Sequence, residues 1–378
     1  MRKRQQNSKF DFQKFEERIC LTVSAAVGDG GSLFVRGDAD GPVQIVATGE
    51  QTFDVIDDGA LVGTFENVSK NILVRMDGQS SGDATAEGND DSLLIQLNDQ
   101  NIDNVSVKLG HGDNQFAIEG DQTIDRVIYL GGGGDDTVNI DVDTEFMAMA
   151  LLRAGDDAVN FLADSNRVRI RAGLGNDNVR LGEEANANAV SVRLGHGDNT
   201  FLSNADVERR LFVRAGIGND TVGIGENARV GGNFNTVLGH GDNDLGIAGN
   251  IEGRLNVRTG LGNDTVAINN TADIAETAGI LLGSGDNRFG VNGDLGGNLF
   301  MRGGIGNDTV VVGEDANIAG HVGTLLGAGD NTFSHDGSID GNLRVLSKNP
   351  DDVFTADGFV GGRTHLGPGD QGDRGDDS

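Results

Sequence analysis

The sequence has no Trp, a single Tyr and a single Cys. One cysteine, Cys20, excludes an intramolecular disulfide. Without Trp, and almost without Tyr, the usual aromatic platforms for sugar rings are missing. No stretch approaches the ~20 consecutive apolar residues of a membrane-spanning helix. Positive charge is also scarce, with 29 Lys+Arg against 59 Asp+Glu and a formal net charge of −30. That balance argues against nucleic acid and anionic membranes as partners and for cations, and it also serves solubility.

What the chain has in abundance is glycine, 61 of 378 residues, beside a hydrophobic share of 37%. That much apolar residue excludes a disordered polymer. The length would ordinarily suggest two or three globular domains, but a repeat array grows in one dimension and escapes that rule.

A repeat is present. The first Asp or Asn of successive Gly-rich loops falls at 113, 135, 156, 176, 198, 219, 242, 263, 286, 307, 330 and 351, steps of 20 to 23 residues. From Asp198 onward, alternate loops lie 44 apart (198, 242, 286, 330 and 219, 263, 307, 351), so two kinds of rung alternate. One reads G-H-G-D-N-x-F, as at Gly195–Phe201; the other reads G-I-G-N-D-T-V, as at Gly216–Val222. Runs such as Leu211-Phe212-Val213-Arg214 precede the loops, and Val222-x-Ile224 or Val266-x-Ile268 follow them. Period-2 alternation bounded by Gly, Asn and Asp is the signature of a strand. The expected fold is therefore all-β, a parallel β-helix or β-solenoid of about 22-residue rungs in 44-residue two-rung units. About a dozen rungs spaced ~4.8 Å apart would make a rod on the order of 55 Å long.

The larger period has a packing explanation. Phe116, Val138, Val159, Val179, Phe201, Val222, Leu245, Val266, Phe289, Val310, Phe333 and Phe354 each stand three residues after a loop position. Stacked in one inward column, alternating large and small residues interdigitate without voids.

The loops resemble a known family. Gly303–Val311 and Gly131–Asn139 fit the G-G-x-G-x-D-x-U-x nonapeptide of the repeats-in-toxin (hemolysin-type) calcium-binding β-roll. Ala172–Arg180, Ala215–Gly223 and Thr259–Ala267 fit all but the first Gly. The resemblance implies Ca²⁺ as cofactor, with Asp136, Asp177, Asp220, Asp264 and Asp308 at the ligand position. Asp113, Asp198, Asp242, Asp286 and Asp330 form a second candidate set, one place earlier in the Asp-Asn loops. The family's nonapeptides run in tandem, whereas here one occurs per rung, and Asn199, Asn243, Asn287 and Asn331 hold the ligand position in alternate rungs. The resemblance carries no toxin activity.

A metal-free reading stands beside it. Alternation leaves Asn between like charges, where amides can form a ladder. Arg171, Arg214, Arg258 and Arg302, each six residues before a loop Asp, could also neutralise the carboxylates. His111, His196 and His240 share the x position of Gly-x-Gly with Ser284 and Ala328, which reads as an exposed turn position.

The organisation expected is a leader over 1–27, irregular rungs or a cap over 28–104, regular solenoid over 105–360 and a disordered acidic tail over 361–378. Phe10-Asp11-Phe12-Gln13-Lys14-Phe15-Glu16-Glu17-Arg18-Ile19-Cys20-Leu21 resembles the F-x-x-L-E-x-R-x-L-L leader of many exported planctomycete-type proteins. The function expected is a non-catalytic, exported or cell-surface scaffold, with a surface polymer or a protein as partner. The alternatives are an adhesin and a polysaccharide-active enzyme. For the last, the only departure from regularity is the loop bearing Asp77, Asp83, Glu87, Asp90 and Asp91.

Overall fold

A computed structural model describes residues 23–37, 41–76 and 90–368. The proposed leader motif, most of the acidic 77–91 loop and residues 369–378 lie outside the described residues. Every regular element described is a strand, and none is a helix.

Each rung contributes to three parallel sheets. The first sheet holds the strand before the Gly-rich loop, such as Leu255–Arg258 or Leu299–Arg302. The second holds the strand after it, such as Thr265–Ile268. The third holds two-residue strands such as Asp273–Ile274. Each strand pairs in parallel with its counterpart one rung on, so the sheets stack along the rod.

The register reproduces the column read from the repeat. Phe116 pairs with Val138, Val138 with Val159, Val159 with Val179, Val179 with Phe201 and Phe201 with Val222. The column continues through Leu245, Val266, Phe289, Val310 and Phe333 to Phe354. It also extends upstream to Leu93 and Val43, so part of the irregular N-terminal region stacks as rungs. Phe201, Leu245, Phe289 and Phe333 are fully buried.

The N-terminal end is closed by antiparallel pairing. Val23–Gly28 folds back on Ser32–Gly37, and Thr52–Asp57 and Ala60–Phe65 form a meander on Pro42–Gly49. Such a cap blocks the open strand edges of the first rung. Val23–Val27, the end of the segment read as a leader, belongs to this cap. At the other end the solenoid runs past 360, because Thr364–Pro368 pairs in parallel with Leu343–Ser347; the expected tail thus begins as a further strand.

Candidate functional site

The loops turn one corner of the rod, between the first and second sheets. Glycine is required there by contact as well as by conformation. At Gly218, with φ of +135°, a Cβ would lie 2.1 Å from the carbonyl oxygen of Gly197 in the preceding rung. Stacked loop backbones touch, and any side chain would separate them.

Each loop carries two Asx residues, and they form two columns. The outer column includes Asp113, Asp198, Asp242, Asp286 and Asp330, all exposed. The inner column includes Asp136, Asp177, Asp220, Asp264 and Asp308, each about 1% exposed. The structure therefore separates the two candidate sets by a wall of backbone. Strand parity carries the signal for this: Asp220 stands two residues before the inward Val222, so a period of two turns both to the core.

The columns are hydrogen-bonded in opposite directions. In the outer column a main-chain N–H donates to the Oδ1 of the preceding rung: Asp198 to Asn176 at 2.8 Å, Asn219 to Asp198 at 2.7 Å, Asp242 to Asn219 at 2.8 Å. In the inner column it donates to the Oδ1 of the following rung: Asp177 to Asn199 at 2.9 Å, Asn199 to Asp220 at 3.2 Å, Asp220 to Asn243 at 3.0 Å. Each inner Asn also donates Nδ2 to the next Asp Oδ1, at 2.8 Å from Asn199 and 2.7 Å from Asn243, and to its own loop glycine carbonyl. The loop N–H groups, which a tight turn leaves without ladder partners, are thereby satisfied by side chains. With about 0.5–1.5 kcal/mol net for each such bond, the paired ladders contribute to every rung-to-rung contact.

The amide ladder expected from the Asn/Asp alternation is thus present, whereas the arginine pairing is not. Arg171, Arg214, Arg258 and Arg302 point outward and are exposed, and the loop corner lies between them and the buried carboxylates. No ion pair joins them to Asp177, Asp220, Asp264 or Asp308 among the described residues; the pairs formed are Arg229 with Glu208 and Glu252, and Arg254 with Glu276.

The inner carboxyls have one oxygen in use and one idle. Oδ2 of Asp136, Asp157, Asp177, Asp220, Asp264 and Asp308 is buried without a hydrogen-bond partner. The Gly173, Gly216 and Gly304 amides lie close enough to favour the ionised form of Asp177, Asp220 and Asp308 but outside hydrogen-bonding geometry. Burial prevails and pushes the carboxyls up, Asp157 to about 8, Asp177 to about 7 and Asp220 to about 6. Asp136 and Asp308 are raised for the same reason. Asp157 and Asp177 are the more strongly raised, and they sit in the stretch Asp136–Asp157–Asp177 where three rungs in succession carry Asp with no Asn between.

These residues can be tested against Ca²⁺, which takes six to eight oxygens. Every inner Oδ1 named above already accepts a main-chain N–H, and only the loops with an inner Asp present one idle buried carboxylate oxygen. From Asp177 onward those oxygens recur every second rung, ~9.6 Å apart. Among the described residues no three His, Cys, Asp or Glu side chains converge as a metal group. As arranged, the loops do not fit the ion.

A second feature escaped the sequence reading. Along the third sheet, where it turns into the first, an open groove of about 380 Å³ is lined by Asp143, Glu145, Asp164 and Glu208 with Asn and Thr side chains. It lies in the stretch where the strands are longest and the register slips, as between Thr144 and Ala148. The repeat hides it because its members come from the variable part of each rung.

No family model matches the chain, and no curated protein does. A solved structure that matches is a hyperactive, Ca²⁺-dependent, β-helical antifreeze protein from an Antarctic bacterium, at 20% identity over 74% of this chain and 83% of that one, with a TM-score of 0.39. The β-helical form and the calcium dependence are stated of that protein.

Proposed function

We propose that the protein is a non-catalytic scaffold, a stiff rod held at the cell exterior. The continuous double ladder carries this reading. Each loop is cross-linked to the next by side-chain hydrogen bonds of its own, so the corner is rigid along its length. The basic segment resembling an export leader supports the external location. An adhesin is a special case of the same architecture.

Calcium stabilisation is the second reading, favoured by the row of idle Oδ2 atoms. An ion would have to take these oxygens from the interior and displace ladder bonds to complete its shell. Protonation removes the buried charge of the same row without rearrangement, and it is preferred here.

The deciding experiment is a thermal melt of the purified chain in chelator and in millimolar Ca²⁺ at constant ionic strength. The ladder reading expects melting temperatures equal within about 1 °C, since an ion binding only the folded state must raise the midpoint. A calcium-dependent rise of several degrees would replace the metal-free scaffold with the calcium-stabilised one. Polysaccharide cleavage abolished by Asp143→Asn or Asp164→Asn would overturn the non-catalytic reading.

A further inference from the structure

The first sheet is free of acid. Its strands, from Ser32–Gly37 through Asn71–Met76, Asn233–Val237 and Leu299–Arg302 to Thr364–Pro368, contain no Asp or Glu among the described residues. This holds in a chain with 59 acidic residues. The acids lie instead at the turns and on the other two sheets, as with Glu252, Asp141, Asp206 and Asp294. A net charge of −30 thus conceals a segregated surface.

Basic residues stack at the N-terminal end of that sheet, Arg36 on Arg75 on Lys108, but arginine is densest farther along. Arg171 pairs in register with Arg193, and Arg193 with Arg214. Arg167 and Arg210 flank the column, both opposite Ala189, and Arg169 lies beside it opposite Ser191. All six are exposed, and none is ion-paired among the described residues. Like charges stacked ~4.8 Å apart on one face destabilise a sheet. Nothing in the packing calls for them, because the side chains point away from the core.

We propose that this face docks a linear acidic polysaccharide, a polymer bearing carboxylate or sulfate groups along its length. Guanidinium forks bind such oxyanions bidentately, and arginine outnumbers lysine here as that geometry requires. A flat sheet with a repeat of ~4.8 Å along the rod suits an extended chain. The acidic flanks select against nucleic acid, whose duplex carries a charge every ~1.7 Å and would be repelled on both sides. A second copy is a poorer occupant. Face-to-face pairing sets arginine against arginine, and pairing with an acidic face leaves a non-closing array. The proposal goes beyond the scaffold reading and can fail independently of it, because neither calcium nor export enters.

The test is binding of the full chain to polygalacturonate by titration calorimetry at low and high salt, with dextran as the uncharged control. Saturable binding that weakens with salt is expected, with dextran inert. The triple variant R171Q/R193Q/R214Q should lose about tenfold or more in affinity, a difference of about 1.4 kcal/mol or more, with its melting temperature unchanged or raised. Arg344→Gln, far along the rod, should bind like the parent. If the triple variant does not fold, R169Q/R210Q gives the same readout at the edge of the patch. The proposal is overturned by absence of saturable binding at low salt, by equal affinity in the folded variants, by tighter binding of single-stranded DNA than of polygalacturonate, or by arginine-dependent self-association in sedimentation.

Discussion

Asn199 gives two hydrogen bonds to one atom of Asp220: its main-chain N–H reaches Oδ1 at 3.2 Å and its side-chain Nδ2 at 2.8 Å. The same pair recurs two rungs on as Asn243 with Asp264 and again as Asn287 with Asp308. One oxygen thus holds two rungs together while the other has no partner.

Asp220→Asn should keep the acceptor and replace the idle oxygen with an amide that can donate to the Gly218 carbonyl, as the other inner Asn residues do with their own loops. Denaturant unfolding should find it as stable as the parent or more so. Asp220→Ala leaves two buried donors of Asn199 without an acceptor and should cost about 1–3 kcal/mol. A loss of stability in Asp220→Asn as large as in Asp220→Ala would show that the charge, and therefore a cation, matters.

Stability should fall as pH rises through neutrality. The inner carboxyls are raised from 3.8 to about 8 at Asp157, about 7 at Asp177 and about 6 at Asp220. A raised pKa means that the folded state holds protons the unfolded state releases. The stabilisation is complete below pH 4 and is lost as pH climbs to about 8, at up to about 1.4 kcal/mol per pH unit for each group. Melting at pH 5 should therefore occur above melting at pH 8, and the difference should shrink when Asp157 and Asp177 are changed to Asn. A flat profile would remove the protonated ladder.

Two glycines in the same stretch should respond oppositely to alanine. At Gly262, φ is +125° and a Cβ would lie 2.2 Å from the Gly241 carbonyl oxygen. Gly262→Ala should cost more than the roughly 1 kcal/mol that separates Gly from Ala at unconstrained sites. At Gly246 nothing lies within 4 Å of the added atom and φ is outside the positive range. Gly246→Ala should be neutral or stabilise by about 0.4–1 kcal/mol through the unfolded chain. Chemical denaturation of the two variants settles both.

The inward column should be sensitive in both directions. Phe289 is fully buried between Val266 and Val310. Phe289→Ala should cost about 3–5 kcal/mol. Val310→Phe places a third ring between Phe289 and Phe333 and should cost about 1–3 kcal/mol by overpacking. Calorimetry of the pair distinguishes a tightly packed column from a loose one.

The fold could be read from the chain because a solenoid is local. Every rung contacts only its neighbours, so the period in sequence is the period in space, and Phe201 stands over Val222 for the same reason that their loops lie 21 residues apart. The alternation of Asn and Asp likewise announced an amide ladder. The depth of that ladder was left to the tertiary structure. Asp220 is an exposed ligand or a buried acceptor according to which way the corner turns, and only the folded rung sets that. The same turn separated Arg214 from Asp220, six residues apart along the chain, one facing solvent and the other the interior. The acid-free face was equally out of reach of the net charge, because it is a property of one side of every rung and a sum over residues has no sides. Periodicity determined the rod; the pleat and the corner decided what it buries and what it shows.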